Sequence, residues 1–520
     1  MTASDAPQHA EPRRCGWLDY AGLLVLQILL LQGFTQHVDV HAADEVMYQQ
    51  QGLALIEGRP ETKTLGFGPV YSAAYGVVQL APLGGVAVQD AMAVVLTIGG
   101  TLAVAWALVA FVPRSAALFA AIWWGSQPGV LEFPFRVYLF NGCLVLLTLG
   151  CLGRRRPVLG LSFLALAAFN RLELLPWLGS AALGMAAVGH VRGRPRLRAV
   201  GLGFIVASVG VLLLSSASPH AKEHSWLAFR DHYVGNQLAP EGALPMIGAP
   251  VEQQEGMIEA AFPGAHSVFA ALAANPGAFV DHVLHNAAFL PEMVLANLRF
   301  PFYYLAPVAY TLLASALLLM LLGAWPAWRS APPRPPASAR IALWTSWLII
   351  PGLLVVFPRS GFMLPVSIAV LVLGARLVHR GASALGRGPL AHLPVSELLL
   401  ATSIGIAVAA GGPFSRVPAV PVQGREILAM MQRNEIGPDD RVAAIKAPGL
   451  LALAQVDAVG VEIDRFAMDP KVEADFAFFS SWEHQAPFAP ALLQRLTTGD
   501  AWRVVDVAYG ALLFRREERR

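Results

Sequence analysis

Two adjacent carboxylates, Asp44 and Glu45, follow the first long apolar run of the chain. They open a helix-like stretch that runs to about Glu57, where Gly58 and Pro60 stop it. Acidic residues at a helix start complement the helix dipole, worth a few tenths to about 1 kcal/mol, and that alone could explain them. A carboxylate on the water side of a membrane pocket can also remove a proton from an incoming hydroxyl. Arg171, Arg299 and Arg359 offer a complementary chemistry, because the planar guanidinium fork suits phosphate oxygens. Glu173 stands two residues after the first of them. Carboxylates and arginines gathered at one bilayer face are what transfer from a lipid phosphate requires. Charges also gather at helix ends because burying them costs too much. His37, His41 and Asp44 have a spacing that could bring three metal ligands together, but a zinc site needs ligands fixed by supporting hydrogen bonds. No metal and no other cofactor is therefore expected.

The elements that must position these residues are membrane spans. The chain has 520 residues, 56% hydrophobic and only 14% charged, with mean hydropathy +0.54; an ordinary soluble domain is about 25% charged. Many apolar runs reach the roughly 20 residues needed to cross a bilayer core as a helix. The expected fold class is an α-helical polytopic membrane protein of about eleven spans with a small C-terminal α/β domain. The net charge of +2 says little, since in such a protein the placement of Lys and Arg decides orientation. Cys15, Cys143 and Cys151 all fall in expected membrane or cytoplasmic positions, so no disulfide framework or paired-cysteine metal site is expected outside.

Residues 1–16, with Arg13 and Arg14, are expected to be a cytoplasmic tail, and 17–36 the first span. No small-residue cleavage site follows that run, so it is expected to be retained. The Asp44 loop, 37–69, then lies outside. The run from Gly66 to Gly85 is broken by Pro69 and Pro82. Reading it as a surface or re-entrant segment keeps Arg154, Arg155 and Arg156 inside. Spans follow at 90–112, 115–131 and 137–152. Two short spans turning at Arg171 keep Arg192, Arg194, Arg196 and Arg198 inside and leave Arg171 and Glu173 below the outer surface. Ionisable residues at that depth are functional candidates, although a mutual ion pair capping a tight turn explains them equally well. A span at 199–217 leads into a large outer loop, 218–300, holding Trp226, Arg230, His232, Tyr233, His282 and His285, with helical patches at 253–262 and 277–290. Further spans are expected at 301–322, 341–357, 362–378 and 394–411, the second and third meeting at the outer turn Pro358-Arg359-Ser360-Gly361.

After Gly412 the charge content becomes ordinary. A helix at 424–434, a strand at 442–445, a helix near 449–455 and strands at 474–479, 502–507 and 510–514 suggest a small α/β domain, 413–520, outside the membrane. It has no Gly-rich phosphate loop and no acid–base cluster. It is expected to bind the acceptor or cover the membrane cavity and to leave the chemistry to residues 17–412.

Several stretches together resemble the GT-C class of membrane glycosyltransferases, which includes the protein O-mannosyltransferases and the lipid A aminoarabinose transferases. His41-Ala42-Ala43-Asp44-Glu45-Val46-Met47-Tyr48 looks like their first-loop acidic motif. Ala168-Phe169-Asn170-Arg171-Leu172-Glu173 is similar to a short Arg-containing turn between central spans. Arg299-Phe300-Pro301-Phe302-Tyr303-Tyr304 and Pro358-Arg359-Ser360-Gly361-Phe362 resemble stretches entering later spans. The chain departs at Leu139-Phe140-Asn141, where many members carry an aspartate, and at Gly68-Pro69, where many aminoarabinose-type members carry Lys-Pro.

The resemblance implies transfer of a sugar from a polyprenyl-phosphate donor to a hydroxyl of a lipid, glycan or protein acceptor, on the extracytoplasmic face of a plasma (bacterial inner) membrane. No nucleic-acid partner is expected. One base opposite a phosphate leaving group gives inversion at the anomeric carbon. Asp44 is the expected base and Glu45 its support. Arg359, Arg171 and Arg299 would hold phosphate, with Tyr48, Asn141, Glu173, His232, Tyr233, Tyr303 and Tyr304 as candidate substrate contacts. The competing readings are a polyprenyl-lipid or glycan transporter, against which no repeated halves are found, and a non-catalytic envelope-polysaccharide assembly protein.

Overall fold

A computed structural model describes residues 15–36, 38–40, 44–59, 68–127, 136–216, 219–239, 251–298, 306–324, 335–356, 359–385, 394–410, 423–444, 447–469, 471–480, 489–497, 502–508 and 511–517. Arg299, Tyr303, Tyr304, His37 and His41 lie outside the described residues, as does most of the N-terminal tail.

In chain order the membrane part begins with α1 (Trp17–Leu30), α2 (Asp44–Ile56), α3 (Pro69–Val78), α4 (Gly85–Leu108) and α5 (Arg114–Gly125). Then come α6 (Arg136–Gly153), α7 (Pro157–Asn170), α8 (Leu175–Val191) and α9 (Pro195–Ser216). The stretch expected as the outer loop carries α10 (Pro219–Leu238), α11 (Val251–Ala261), α12 (Val268–Ala274), α13 (Pro276–Ala288) and α14 (Leu290–Ala296). The apolar helices resume with α15 (Ala306–Ala324), α16 (Ala337–Thr345), α17 (Ile350–Val356), α18 (Ser360–Leu385) and α19 (Val395–Ala410).

Among the described residues seven helical stretches are long and apolar enough to cross a membrane, and three shorter apolar helices accompany them. Their large apolar side chains are partly turned outward: Val206, Val209 and Leu212 of α9 are exposed. An apolar outer surface is stable where lipid is the solvent, and helices satisfy their backbone polar groups internally there. The run from Gly66 to Gly85 does not form a long span. Its helix, α3, has ten residues, begins at a proline whose missing amide costs nothing at the first helical position, and packs along α2. At that crossing Gly52 and Gly76 face each other. A Cβ on Gly52 would lie 2.3 Å from the Ser72 carbonyl oxygen, so only glycine allows this approach.

The turn expected at Arg171 is present, and one span expected as continuous is interrupted. Residues 157–191 form two helices separated by Arg171 and a short 3-10 turn, Leu172–Leu174, as the basic residues on either side require. The stretch 337–356 is helical at both ends but tightens to 3-10 geometry at Ser346–Ile349, just before Pro351, which cannot donate an amide to the preceding turn. The expected span at 115–131 is shorter than the sequence suggests: α5 ends at Gly125, with Ser126 as its cap.

The outer loop differs most from expectation. Helices near the expected patches are present as α11 and α13. The 20-residue α10 lies in a stretch read only as loop. Its buried face is Phe229, Tyr233 and Val234, packed on Phe262 and Phe279. The hydrophobic stripe is narrow and the rest of the helix polar, so the helix is stabilised by its neighbours and not by its own composition. Ser267 and Asn275 cap α12 and α13, accepting the Ala270 and Ala278 amides at 3.1 Å each.

The C-terminal part carries α20 (Gln423–Arg433), β1 (Arg441–Ala444), α21 (Ala447–Ala454), β2 (Val459–Glu462), α22 (Ile463–Met468), β3 (Phe476–Ser480), α23 (Ala489–Thr497), β4 (Trp502–Ala508) and β5 (Ala511–Arg516). The five strands form one sheet in the order β2-β1-β3-β5-β4. β1 pairs parallel with β2 and β3, and β5 pairs antiparallel with β3 and β4. β2 was not expected from the sequence, because its four residues are short and half exposed and depend on β1 for their pairing.

Candidate functional site

Asp44 and Glu45 open α2 but face different surroundings, as adjacent helical residues about 100° apart must. Glu45 is 2% exposed. One of its oxygens accepts hydrogen bonds from the Tyr71 hydroxyl at 2.8 Å and the Tyr75 hydroxyl at 2.5 Å. The other accepts from the Arg136 amide at 3.0 Å. Burial pushes the carboxyl above its ordinary value, while the two tyrosines and Arg136 pull it back. Both oxygens are engaged, so Glu45 has no room for a substrate hydroxyl; it ties α2 to α3 and to the start of α6. The cage continues outward. The Tyr71 amide donates to the Asn170 side-chain oxygen at 2.9 Å, and the Asn170 amide group donates to Asn141 at 2.8 Å. Asn141, a candidate substrate contact by sequence, is 3% exposed and is spent on this clamp.

Asp44 is half-buried and lies outside that cage. The fields of Asp44, Arg171, Glu173 and Arg359 all reach the Tyr138 hydroxyl on α6. Asp44 and Arg171 also act on the Tyr48 phenol, which burial pushes well up. Arg171 donates to Glu173 at 2.7 Å and to the Tyr138 hydroxyl at 3.3 Å. Its guanidinium carbon sits 4.9 Å from the centre of the Tyr138 ring and 5.3 Å from that of Phe362, a stacked and cationic-aromatic arrangement. The Arg171–Glu173 pair is therefore internally neutralised. Tyr138 is the centre of this cluster and was missed by sequence reasoning, since a lone tyrosine at the start of an apolar run carries no distinguishing signal.

Arg359 is half-buried and, among the described residues, has no carboxylate within ion-pair reach. Its guanidinium donates to His232 Nε2 at 3.2 Å. Arginine can only donate, so the imidazole there is neutral with its proton on Nδ1. His232 is 4% exposed and Tyr233 is packed in the outer-helix core. Both are placed to position the arginine turn and not to line an open surface.

A second histidine fixes the same turn. The last carbonyls of α17 have no intrahelical partners. His282 Nε2 meets the Val355 carbonyl at 3.0 Å, and the Asn286 side chain donates to Leu354 and Val356 at 2.7 and 3.0 Å. Asn236 donates to the Asn286 oxygen at 2.8 Å and lies 3.0 Å from His282 Nδ1. α10 and α13 thus hold the chain three residues before Arg359.

Burial holds the His232 imidazole down to about 3, with the Arg359 charge adding to it. Burial likewise holds His282 down to about 4, against its hydrogen bond to Val355. Both lie below the ordinary value of 6.5, so the unfolded chain binds more protons. The stability these groups contribute is complete above pH about 6.5 and is lost as pH falls toward 4 and then 3. By pH 5 the loss should be roughly 1–2 kcal/mol per histidine. Amide exchange of residues 226–238 and 276–288, corrected for intrinsic rates, should rise between pH 7 and pH 5. His282→Gln, which cannot titrate, should remove about half of that dependence and leave the part due to His232; a wild-type protein with no pH dependence would refute the assignment.

Among the described residues no group of three His, Cys, Asp or Glu is arranged to hold a metal ion. A groove of about 290 Å³ between α1, α5 and α19, lined by residues such as Leu23, Leu26, Leu118 and Ile404, opens at the other end of these helices, beside the Asp19–Arg114 pair. Apart from that pair its lining is apolar, and neither Arg171 nor Arg359 lines it.

No protein-family model matches the sequence, and no curated protein is similar to it at a significant level. Several solved structures are similar in layout, among them two of an archaeal oligosaccharyltransferase. One is the archaeal oligosaccharyltransferase AglB from Archaeoglobus fulgidus in complex with an inhibitory peptide and a dolichol-phosphate, at 12% identity, covering 96% of this chain and 74% of that one with a TM-score of 0.49. The other is the Archaeoglobus fulgidus oligosaccharyltransferase in complex with Zn and sulfate, at 11% identity, covering 95% and 73% with a TM-score of 0.49.

Proposed function

We propose that this chain is a multi-pass membrane glycosyltransferase of the GT-C class that moves a sugar from a polyprenyl-phosphate donor to a hydroxyl on a lipid, glycan or protein acceptor. Residues 17–412 carry the reaction, and the site and residues 413–520 face the extracytoplasmic side of the plasma membrane. The observation that carries this reading is that the charges of half-buried Asp44 and half-buried Arg359 both bear on the Tyr138 hydroxyl, while among the described residues no carboxylate pairs with Arg359. A base and an anion grip acting on the same surroundings suit displacement of phosphate by an alcohol.

Asp44 takes the acceptor hydroxyl proton as the acceptor oxygen bonds the anomeric carbon from the face opposite the phosphate. The bond from that carbon to the phosphate oxygen breaks, and the electron pair leaves with polyprenyl phosphate. A phosphate leaving group needs charge stabilisation and no proton, which Arg359 supplies. The single inversion follows from one displacement. Arg171, already paired with Glu173, holds the Tyr138 hydroxyl in place.

Purified protein in nanodiscs, offered polyprenyl-phosphate hexoses and pentoses with alcohol acceptors, should release polyprenyl phosphate, and Asp44→Asn should not. Wild-type release by Asp44→Asn would refute the role of the carboxylate. The placement has its own check. In a cysteine-free background, Gln50→Cys and Asp457→Cys, both exposed positions, should label with an impermeant maleimide from the extracytoplasmic side. The reason is that Arg154–Arg156 and Arg192–Arg198 belong on the cytoplasmic side. Labelling of the two from opposite sides would overturn the topology.

A further inference from the structure

The C-terminal sheet domain does not sit apart from the loop that carries the acidic pair. Asp39, five residues before Asp44, accepts the Gly424 amide at 3.0 Å and the Arg425 amide at 3.3 Å, as well as the Val40 amide at 2.8 Å. Those first two amides are the unsatisfied donors at the start of α20. A carboxylate from the far end of the chain therefore caps this helix, where the dipole favours negative charge. A Cβ on residue 424 would lie 2.6 Å from the Asp39 oxygen, so glycine is the residue that lets the loop come so near.

Arg425 closes the same contact from the other side. It donates to the Val38 carbonyl at 3.0 Å and pairs with Asp90 of α4 at 2.5 Å, both partners about three-quarters shielded. Beneath these polar contacts Val40 and Val46, 5% and 4% exposed, belong to the same hydrophobic core as Ile427, Leu428 and Met431. Val46 is two residues after Asp44 on α2, so the domain's core and the helix bearing the carboxylate share side chains.

We infer that Asp39 and Arg425 are positioning residues: they latch the C-terminal domain onto residues 38–40 and, through the shared core at Val46, onto the start of α2, and thereby hold Asp44 at the angle its reaction needs. This rests on the reading of Asp44 as the base. It departs from the expectation that the domain serves only the acceptor or the lid, and it gives residues 413–520 a part in turnover without any chemistry of their own.

The test uses the full chain in nanodiscs with Asp39→Ala, Asp39→Asn, Arg425→Ala and Asp44→Asn, read by kcat at saturating donor, by donor Kd and by amide exchange. A small misplacement of a reacting group costs up to about a hundredfold, so Asp39→Ala and Arg425→Ala should lower kcat about ten- to a hundredfold. Donor Kd should move by less than about twofold, since only the transition-state arrangement is lost. Exchange across 44–56 should rise while the strands between 441 and 516 stay protected. Asp39→Asn, which keeps one acceptor oxygen, should fall between Ala and wild type.

Wild-type kcat in Asp39→Ala and Arg425→Ala, in the assay where Asp44→Asn is inactive, overturns the inference and leaves the site reading standing. Unchanged exchange across 44–56 overturns it too. Loss of strand protection would mean that the contact holds the domain itself together, which also overturns a positioning role. Wild-type turnover by Asp44→Asn refutes the site reading instead, and the exchange measurement then decides alone whether the latch holds the loop.

Discussion

Asp44→Asn should lower steady-state sugar transfer by about 10²–10⁴-fold, the usual contribution of a positioned general base. The substitution is nearly isosteric and Asp44 makes none of the cage contacts that hold α2, so folding and donor affinity should stay close to wild type. Glu45→Gln should behave differently. The Glu45 oxygens face three donors, the Tyr71 and Tyr75 hydroxyls and the Arg136 amide. A glutamine must turn its NH2 group toward at least one of them, leaving a buried donor unmatched at a cost of about 1–3 kcal/mol. Its effect should therefore appear first as loss of stability, with activity falling only as α2 shifts. Turnover, donor binding and thermal unfolding of both variants in nanodiscs separate the two roles. A fully active Asp44→Asn beside a folded but inactive Glu45→Gln would reverse the assignment. If both are active, the carboxylates do no more than complement the helix dipole.

Arg359→Ala should weaken binding of the polyprenyl-phosphate donor by about ten- to a hundredfold, the worth of a charge-assisted hydrogen bond of roughly 1.5–3 kcal/mol. Arg359→Lys should lie between the two, because lysine keeps the charge and loses the fork. The structure makes Arg359 a better grip than Arg171. Arg171 is already matched by Glu173 at 2.7 Å. Arg359 donates to a neutral imidazole and, among the described residues, meets no carboxylate, which leaves its charge for an incoming phosphate. Arg171→Ala should accordingly reduce donor affinity less than Arg359→Ala. Equal donor affinity in wild type and Arg359→Ala would remove the arginine from the site.

The helical framework was largely legible in the sequence because membrane spans are written in composition: long apolar runs, and basic residues that must stay on one side. The break at Arg171 followed from charge alone, since one helix through 157–191 would bury Arg171 and Glu173 at mid-bilayer. The acidic pair was legible as a pair, by its place at a helix start after a span. α10 was not, because its few apolar residues form a stripe only when Phe262 and Phe279 arrive from other helices. β2 was not, because four half-exposed residues become a strand only beside β1.

By itself the sequence determined that the chain is a helical membrane protein and that Asp44 and Glu45 open a helix after the first apolar run. Tertiary structure alone decided how that pair divides. Two carboxylates adjacent in sequence differ only in what surrounds them, and Tyr71, Tyr75 and Arg136 come from segments that periodicity cannot bring together. It likewise decided that Arg171 meets a carboxylate while, among the described residues, Arg359 meets only an imidazole, and that Asp39 caps a helix hundreds of residues away. Propensity and hydropathy are local sums over neighbours in the chain, whereas burial, pairing and capping depend on distances in space.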